Sequence, residues 1–224
     1  MDFPKNINWA KFALFNLMVV FFMVLPFMPG PANKLSLYLS FFTNAIGFVG
    51  LIFVPVGIYM IYRFLSIRKK NPGTKFRIYS LYFISIPIVV LVTRLYVMDP
   101  MSDHSRNVAI ERAQQLVSSI EQYRLKEGYY PESVDELNIE VPAPYIMGID
   151  KFRYTKYDND FFVAFSQWPD GGITEEIVLF GRLSPEKNLV SPEEYNYNND
   201  FHRAMGAFTS HETGYKNWKY YLCD

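Results

Sequence analysis

Residues 118–137 read SSIEQYRLKEGYYPESVDEL, and this stretch decides how the second half of the chain is interpreted. Its first part continues an amphipathic helical pattern, which Gly128 is expected to end by adopting a left-handed conformation. Pro131 then restricts Tyr130 to extended geometry, and the letters PESVDEL predict one more short helical turn. A patterned segment of this kind indicates a folded domain in contact with water.

The helix that leads into this stretch carries one apolar stripe, as expected of a helix with a single buried face. The residues of the stripe recur at steps of three and four: Ala109, Ala113, Leu116, Val117, Ile120 and Tyr123. Just before it, the run MDPMSDHS (98–105) contains Pro100 and two aspartates. We expect this run to break the chain, with a new helix starting near Asp103 as its N-cap.

Three strands are predicted after the helix. They are the runs KFRYTKY (151–157), FFVAFS (161–166) and ITEEIVLFG (173–181). The short polar turn DND and the segment QWPDGG separate them, which favours antiparallel neighbours in a meander. Together with the amphipathic helix, which would pack on the apolar face of the sheet, this predicts an α+β domain.

This pattern resembles a known family over about residues 104–181. The residues that carry the resemblance are Ala113, Leu116, Ile120 to Tyr123, Gly128 to Pro131 and Leu137. The chain here is similar to the soluble half of bacterial type II secretion pseudopilins and related type IV pilin-like proteins. The resemblance implies a helix that ends in a glycine, a Tyr-Pro turn and a covering antiparallel sheet, and it implies a setting in secretion or envelope assembly.

Three features depart from that family. Two further apolar spans precede the one nearest the domain, where a pilin has a single N-terminal apolar helix. A pilin has a short basic leader with a Gly-Phe type of processing site and a glutamate shortly after it, whereas the run IGFVGLIF around Gly47 has no such acid. The expected break at 99–103 would also prevent the single long helix of a pilin. The resemblance therefore implies a pilin-like module fixed to a membrane.

Three apolar runs precede the domain, at about residues 9–27, 42–62 and 78–97. Each approaches the roughly 20 residues that a helix needs to cross the hydrocarbon core of a bilayer. They are apolar on all sides, unlike a surface helix of a soluble protein. The sequence thus predicts a membrane domain at 1–98 with three transmembrane helices and an extracytoplasmic domain at 99–224, which ends in an aromatic and asparagine-rich segment at 182–224.

Charge predicts the direction of the spans. Residues 1–98 carry a net charge of +9 and residues 99–224 a net charge of −9. The connector at 63–77 holds six basic residues and that at 28–41 holds only Lys34. Because basic short loops stay in the cytoplasm, the N-terminus is predicted to be cytoplasmic and the acidic half to lie outside, as in a protein of the bacterial inner membrane. Cleavage of the first run as a signal peptide near Gly30 and Ala32 is an open alternative that leaves the acidic half outside.

Residues that would carry chemistry are sparse. The intramembrane stretches contain one charge away from their cytoplasmic ends, Arg94, which is expected to extend toward the headgroups, so a transporter is disfavoured. His104, His202 and His211 lack a metal-ligand spacing, and the carboxylates Asp158, Asp160 and Asp170 are typical of turns. The single cysteine, Cys223, excludes an intrachain disulfide. We expect neither catalytic residues nor a cofactor or bound metal.

The C-terminal segment offers a candidate interaction surface, because aromatic rings among amides can stack on a partner. Its residues are Tyr195, Tyr197, Phe201, Tyr215, Trp218 and Tyr220. The alternative is that KNWKYYLC (216–223) forms one more strand with its rings buried. The acidic half argues against a nucleic acid, so the expected partners are the lipid bilayer and another protein.

The sequence therefore predicts a non-enzymatic, membrane-anchored binding or scaffolding protein with a pilin-like outer domain. One alternative is an accessory subunit of a larger membrane protein complex, in which the outer domain forms a cap. A second alternative is an enzyme that acts on envelope polymers through a site that the sequence does not reveal.

Overall fold

Long helices form the first half of the chain, as the apolar runs predict. The computed structural model describes residues 7–71, 73–74, 76–157, 160–172, 174–181 and 210–223. Within these residues, three helices are long and apolar enough to cross a membrane: Trp9–Phe27, Lys34–Lys70 and Tyr79–Glu127. The second and third extend well beyond the predicted spans at 42–62 and 78–97.

Each long helix contains a local change of winding. Helix α1 (Trp9–Val24) ends in the 3₁₀ turn Leu25–Phe27, and helices α2 (Lys34–Gly50) and α3 (Val54–Lys70) are joined by the 3₁₀ turn Leu51–Phe53. Pro55 lies in the first turn of α3. Because proline lacks an N–H and its ring excludes the carbonyl four residues earlier, the tighter turn lets the helix continue past it.

The predicted break at 99–103 is wrong. Helix α4 (Tyr79–Thr93) runs into a π-helical segment, Arg94–Met98, and from there directly into α5 (Asp99–Glu127). The wider π turn changes the register of the backbone hydrogen bonds just ahead of Pro100, where a regular α-helix would place an N–H donor that proline does not have. One helix therefore serves both halves of the chain, and Asp103 lies inside it rather than at its start.

Helix α4 is the central helix of the apolar half, because it packs against α1, α2 and α3. Small residues on α2 and α3 make this approach close. A Cβ atom on Gly47 would lie 2.4–2.6 Å from the side chain of Val90, and one on Gly50 would lie 2.9 Å from Pro87. Glycines at such positions let apolar helices gain van der Waals contact without a water-driven force between them.

The second half of the chain, called the sheet half, consists of helix α5 packed on a five-stranded antiparallel sheet. The strands are β1 (Arg153–Tyr157), β2 (Asp160–Gln167), β3 (Glu175–Phe180), β4 (Ser210–Glu212) and β5 (Trp218–Cys223), in the order β1-β2-β3-β5-β4. The first three form the predicted meander. Strand β5 then lies beside β3, with Phe180 opposite Trp218, and β4 forms the edge. The alternative of a further strand at 216–223 is therefore confirmed for β5.

The main core lies between α5 and one face of the sheet. The helix contributes Ala109, Ile110, Ala113, Leu116 and Ile120, all at 0% exposure, and Gly128 ends it with φ of 85° as predicted. The sheet contributes alternate residues of its three central strands: Phe161, Val163, Phe165, Val178, Phe180 and Trp218. The other face of the sheet is buried as well, through Phe162, Ala164, Ile177, Leu179 and Tyr221. The central strands thus have two buried faces.

Candidate functional site

The candidate functional site consists of described residues that join the two halves of the chain and that fix helix α5 on the sheet. This region, called the junction, has three parts. They are the backbone pairing of residues 26–33 with residues 145–148, the loop at 168–172 against α2, and a buried polar cluster formed by Ser102, Ser105, Arg106, Gln167 and Glu176.

The first part resembles a short antiparallel ladder. Pro29 and Ile146 form an isolated bridge, flanked by hydrogen bonds from Gly30 N to Tyr145 O (2.9 Å) and from Met147 N to Met28 O (3.0 Å). Further bonds run from Gly148 N to Pro26 O (2.7 Å) and from Asn33 N to Met147 O (2.8 Å). Backbone groups of this kind must be paired when water is excluded, so the α1–α2 connection and the sheet half satisfy each other.

The second part places a tight turn against α2. Gly171 has φ of 77°, and a Cβ atom there would lie 2.5 Å from Nδ2 of Asn44 and 2.9 Å from Oγ of Ser40. Ser40 also donates to the carbonyl oxygen of Met23 on α1 (3.0 Å), so this turn meets α2 where α2 is bonded to α1. The conformation and the space both require glycine at position 171.

The same loop holds the lone charge of the third apolar run. Arg94 Nη2 lies 3.6 Å from Oδ2 of Asp170, its Nη1 donates to the Asp170 carbonyl at 3.4 Å, and its guanidinium lies 5.3 Å from the centroid of the Phe48 ring. The sequence predicts only that Arg94 extends toward the headgroups. Its partner on the sheet half could not be seen from the sequence, because 76 residues separate the two.

The third part is a buried ion pair between α5 and β3. Arg106 donates through Nε and Nη2 to the two carboxylate oxygens of Glu176, both at 2.6 Å, and through Nη1 to Asp103 at 2.7 Å. Its guanidinium lies 3.9 Å from the centroid of the Tyr220 ring on β5. Burial alone would lower the pKa of Arg106, but the hydrogen bonds and charges of Glu176 and Asp103 outweigh it and raise the pKa, so the cation is retained.

Amide and hydroxyl groups complete this cluster. Gln167 on β2 donates through Nε2 to Glu176 (2.8 Å) and to Ser102 Oγ (3.0 Å), and its Oε1 accepts from Ser105 Oγ at 2.8 Å. Glu176 is 1% exposed and Arg106 is 7% exposed. Fully paired and out of reach of a soluble substrate, the cluster is suited to fixing α5 on the sheet rather than to acid–base chemistry.

The sequence offers a signal for this cluster that residue type alone conceals. Arg106 precedes Ala109 and Ile110 by three and four residues, so the apolar stripe of the helix extends to it. Glu176 shares the face of β3 that carries Val178 and Phe180, since side chains of a strand alternate. Each polar residue therefore falls on a core-facing position, which is a place where charge occurs only with a partner.

The structure describes three of the six predicted interaction residues. Trp218 is 1% exposed and belongs to the main core, which is incompatible with a role for its ring on an exposed surface. Tyr215 donates to Glu111 on α5 at 3.0 Å, and Tyr220 stacks on Arg106, so both rings contact the helix. Tyr195, Tyr197 and Phe201 lie outside the described residues.

The other candidates take ordinary roles where they are described. His211 stacks on the Tyr220 ring with centroids 4.8 Å apart, and His104 is exposed on α5. Asp160 accepts from the N–H of Phe161 and Asp170 from the N–H of Thr174, both at 2.9 Å. His202 and Asp158 lie outside the described residues, and within those residues no three His, Cys, Asp or Glu side chains are grouped as metal ligands.

The ion pair gives a first prediction. Glu176→Ala leaves the buried Arg106 without its bidentate partner, and we expect it to lower the free energy of unfolding by about 3–5 kcal/mol. The measurement is urea unfolding of the full chain in detergent, followed by tryptophan fluorescence, since Trp168 and Trp218 both lie in the sheet half.

Two variants control this measurement. Glu212→Ala removes an exposed pair with Lys219 (3.3 Å, Glu212 76% exposed) and should cost less than about 1 kcal/mol. Arg106→Met combined with Glu176→Leu removes both charges and should cost less than Glu176→Ala alone. Equal losses for Glu176→Ala and Glu212→Ala would show that the buried pair does not hold the helix.

The loop on α2 gives a second prediction, with a matched control in the same chain. Gly171→Ala adds a methyl group against Ser40 and Asn44, whereas Gly214→Ala adds one at a similar φ (83°) with no atom within 4 Å. In both variants the strain of a left-handed alanine lowers the free energy of unfolding by about 1 kcal/mol. In Gly171→Ala the steric clash lowers it further. We expect a lower thermal unfolding midpoint for Gly171→Ala than for Gly214→Ala; equal midpoints would contradict the contact.

Comparisons of the chain with protein-family models, with curated proteins and with solved structures found no match. What the chain does must therefore be inferred from its own residues and their geometry.

Proposed function

We propose that this chain is a membrane-anchored, non-enzymatic binding or scaffolding protein, whose three long helices cross a bilayer and hold the sheet half in a fixed orientation outside it. The observation that carries this proposal is the uninterrupted helix Tyr79–Glu127, which supplies both the third apolar span and the core of the sheet half. A domain that must only be tethered needs a flexible linker, whereas a scaffold benefits from a rigid one.

The junction supports the same conclusion. A continuous helix fixes the tilt of the sheet half relative to the span, and contacts away from its axis also oppose rotation about it. The pairing of residues 26–33 with 145–148 involves the α1–α2 connection, and the contacts of Gly171 and Asp170 involve α2 and the π-helical segment. Contacts to three separate elements of the first half therefore restrict the motion of the sheet half relative to the spans.

The far end of α5 is the part best placed to reach a partner. Helix α5 has 29 residues, so its C-terminal end lies roughly 40 Å beyond the π-helical segment. Leu125 there is 86% exposed and Tyr129 is 54% exposed. Apolar side chains presented at a fixed height above a membrane are suited to binding a protein partner.

The setting in secretion or envelope assembly follows from the resemblance to pilin-like proteins. Continuity of the helix through residues 99–103 removes one of the three departures from that family, the one that depended on a break there. The two additional spans still favour a fixed module over a polymer-forming subunit.

A second candidate function is that of an accessory subunit in a larger membrane complex. An apolar cleft of about 390 Å³ opens between α2 and α4, and its walls include Val49, Phe53, Phe83 and Pro87. Only 11% of the apolar window in the helix Lys34–Lys70 is buried within the chain. Both features would suit the helix of a neighbouring membrane subunit.

The orientation of the chain gives a third prediction. In a Cys223→Ser background, we expect a membrane-impermeant maleimide applied to the outer face to label the variant Tyr129→Cys and to leave Lys70→Cys unlabelled, because the six basic residues at 63–77 keep that connector inside. Permeabilised membranes, in which both variants should react, provide the control. If only Lys70→Cys were labelled from the outer face, the orientation would be the reverse of the one proposed.

The proposed function gives a fourth prediction, which also separates the two candidates. A photoreactive phenylalanine analogue is introduced at Leu125 in one variant and at Ile52, which is 73% exposed on the apolar helices, in another. In native membranes, a scaffold should form a discrete protein cross-link from position 125, and an accessory subunit should form one from position 52. Cross-links to lipid alone at both positions would contradict both functions.

A further inference from the structure

A cleft at the opposite end of the apolar helices has the chemistry of a binding site. It lies between α3, connector residues 74 and 76–77 and the first turn of α4, and it has a volume of about 310 Å³. Its polar lining includes Arg63, Arg77 and Thr74, and its apolar lining includes Phe64, Ile67 and Phe76. This volume falls at the lower end of the range of small-molecule sites.

Two aromatic residues in the lining of the cleft pack on each other. The rings of Phe64 and Phe76 meet edge to face with centroids 4.9 Å apart, which joins the connector to α3. Farther along the helices the cleft closes, because a Cβ atom on Gly57 would lie 2.8 Å from the Ile84 side chain and 2.9 Å from the carbonyl oxygen of Ser80. A ligand must therefore enter from the side or from the surface that carries the connector.

The charge of the cleft is positive and has no carboxylate nearby in the sequence. Residues 3–98 contain neither aspartate nor glutamate, and Arg63 and Arg77 are both exposed. The last turn of α3 carries Arg68, Lys69 and Lys70, which lie outside the lining of the cleft. Guanidinium groups bind phosphate through paired hydrogen bonds, so this cleft would favour an anionic headgroup over a neutral one.

We propose that this cleft binds the phosphate headgroup of an anionic phospholipid. Arg63 and Arg77 would bind the phosphate, and the rings of Phe64 and Phe76 would contact the start of the acyl chains. The inference rests on the proposal that the helices cross a membrane. A lipid fits better than free phosphate because apolar side chains also line the cleft, and a soluble anion would leave them in contact with water. Basic pockets at the membrane surface bind anionic headgroups in this way.

Native mass spectrometry of the full chain released from detergent tests the proposal. The chain is titrated with phosphatidylglycerol, with cardiolipin and with phosphatidylcholine, and separately with inorganic phosphate. We expect one anionic lipid to be retained per chain, with an affinity for it at least about tenfold higher than for phosphatidylcholine. The variant Arg63→Gln combined with Arg77→Gln should lose this preference by about tenfold.

A control of equal charge is available on the same helix. Lys69→Gln combined with Lys70→Gln removes two exposed charges that do not line the cleft, and this variant should keep the bound lipid. The single variant Arg77→Gln, which changes an exposed side chain of the connector, makes the same comparison if the double variant is not monodisperse. The variant Arg63→Lys with Arg77→Lys should bind with intermediate affinity, because it keeps the charge but loses the paired geometry.

Three results would overturn the proposal. Equal loss of lipid in the two charge-matched variants would show attraction to the surface as a whole, and equal retention of phosphatidylcholine would show no recognition of charge. Binding of inorganic phosphate with displacement of the lipid would identify a soluble anion as the ligand. Solubility of the chain without detergent would instead contradict the membrane proposal, so the two failures are distinguishable.

Discussion

The uninterrupted passage of one helix from an apolar environment into a packed sheet is the constraint on which the whole structure depends. The face of α5 that meets the sheet is determined by the winding of the helix before it, because each residue added or removed rotates the stripe by about 100°. The π-helical segment Arg94–Met98 lies at this point. It accommodates Pro100 and sets the angle at which Ala109, Ala113 and Leu116 face the strands.

The sequence predicts those parts of the fold that follow from periodicity. All-round apolar runs indicate the spans, steps of three and four indicate α5, and alternation indicates β1, β2 and β3. The run 98–105 misleads because proline and aspartate are also the residues that begin a new helix, and local pattern cannot distinguish such a start from a π turn in a continuing helix. The helix Lys34–Lys70 is longer than the predicted span at 42–62. Its first and last turns are polar, and hydrophobicity alone does not identify polar turns as part of a span.

The junction was less accessible to sequence reasoning than the fold. Arg106 and Glu176 stand 70 residues apart, and Pro29 and Ile146 are farther apart still. Their pairing depends on how β3 lies against α5 and on where the α1–α2 connection meets the sheet half, neither of which has a local signal. The alternation of side chains along β3 and the spacing of residues along α5 do place Glu176 and Arg106 on core-facing positions. A charge at such a position requires a partner. The aromatic residues of the C-terminal segment mislead in the opposite way, because Trp218 and Tyr220 serve the core and the ion pair.

The pairing of residues 26–33 with 145–148 imposes an order of assembly on the chain. The amides of Met147 and Gly148 find their acceptors on Met28 and Pro26, in a segment synthesised more than a hundred residues earlier. Contacts of such long sequence separation form late, since the loop between them must first be closed at an entropic cost. The connection between α1 and α2 must therefore be in place before the sheet half can complete its backbone pairing. A fragment that begins after the apolar helices would carry those amides without acceptors, and a chain cut within residues 26–33 would lose the same bonds.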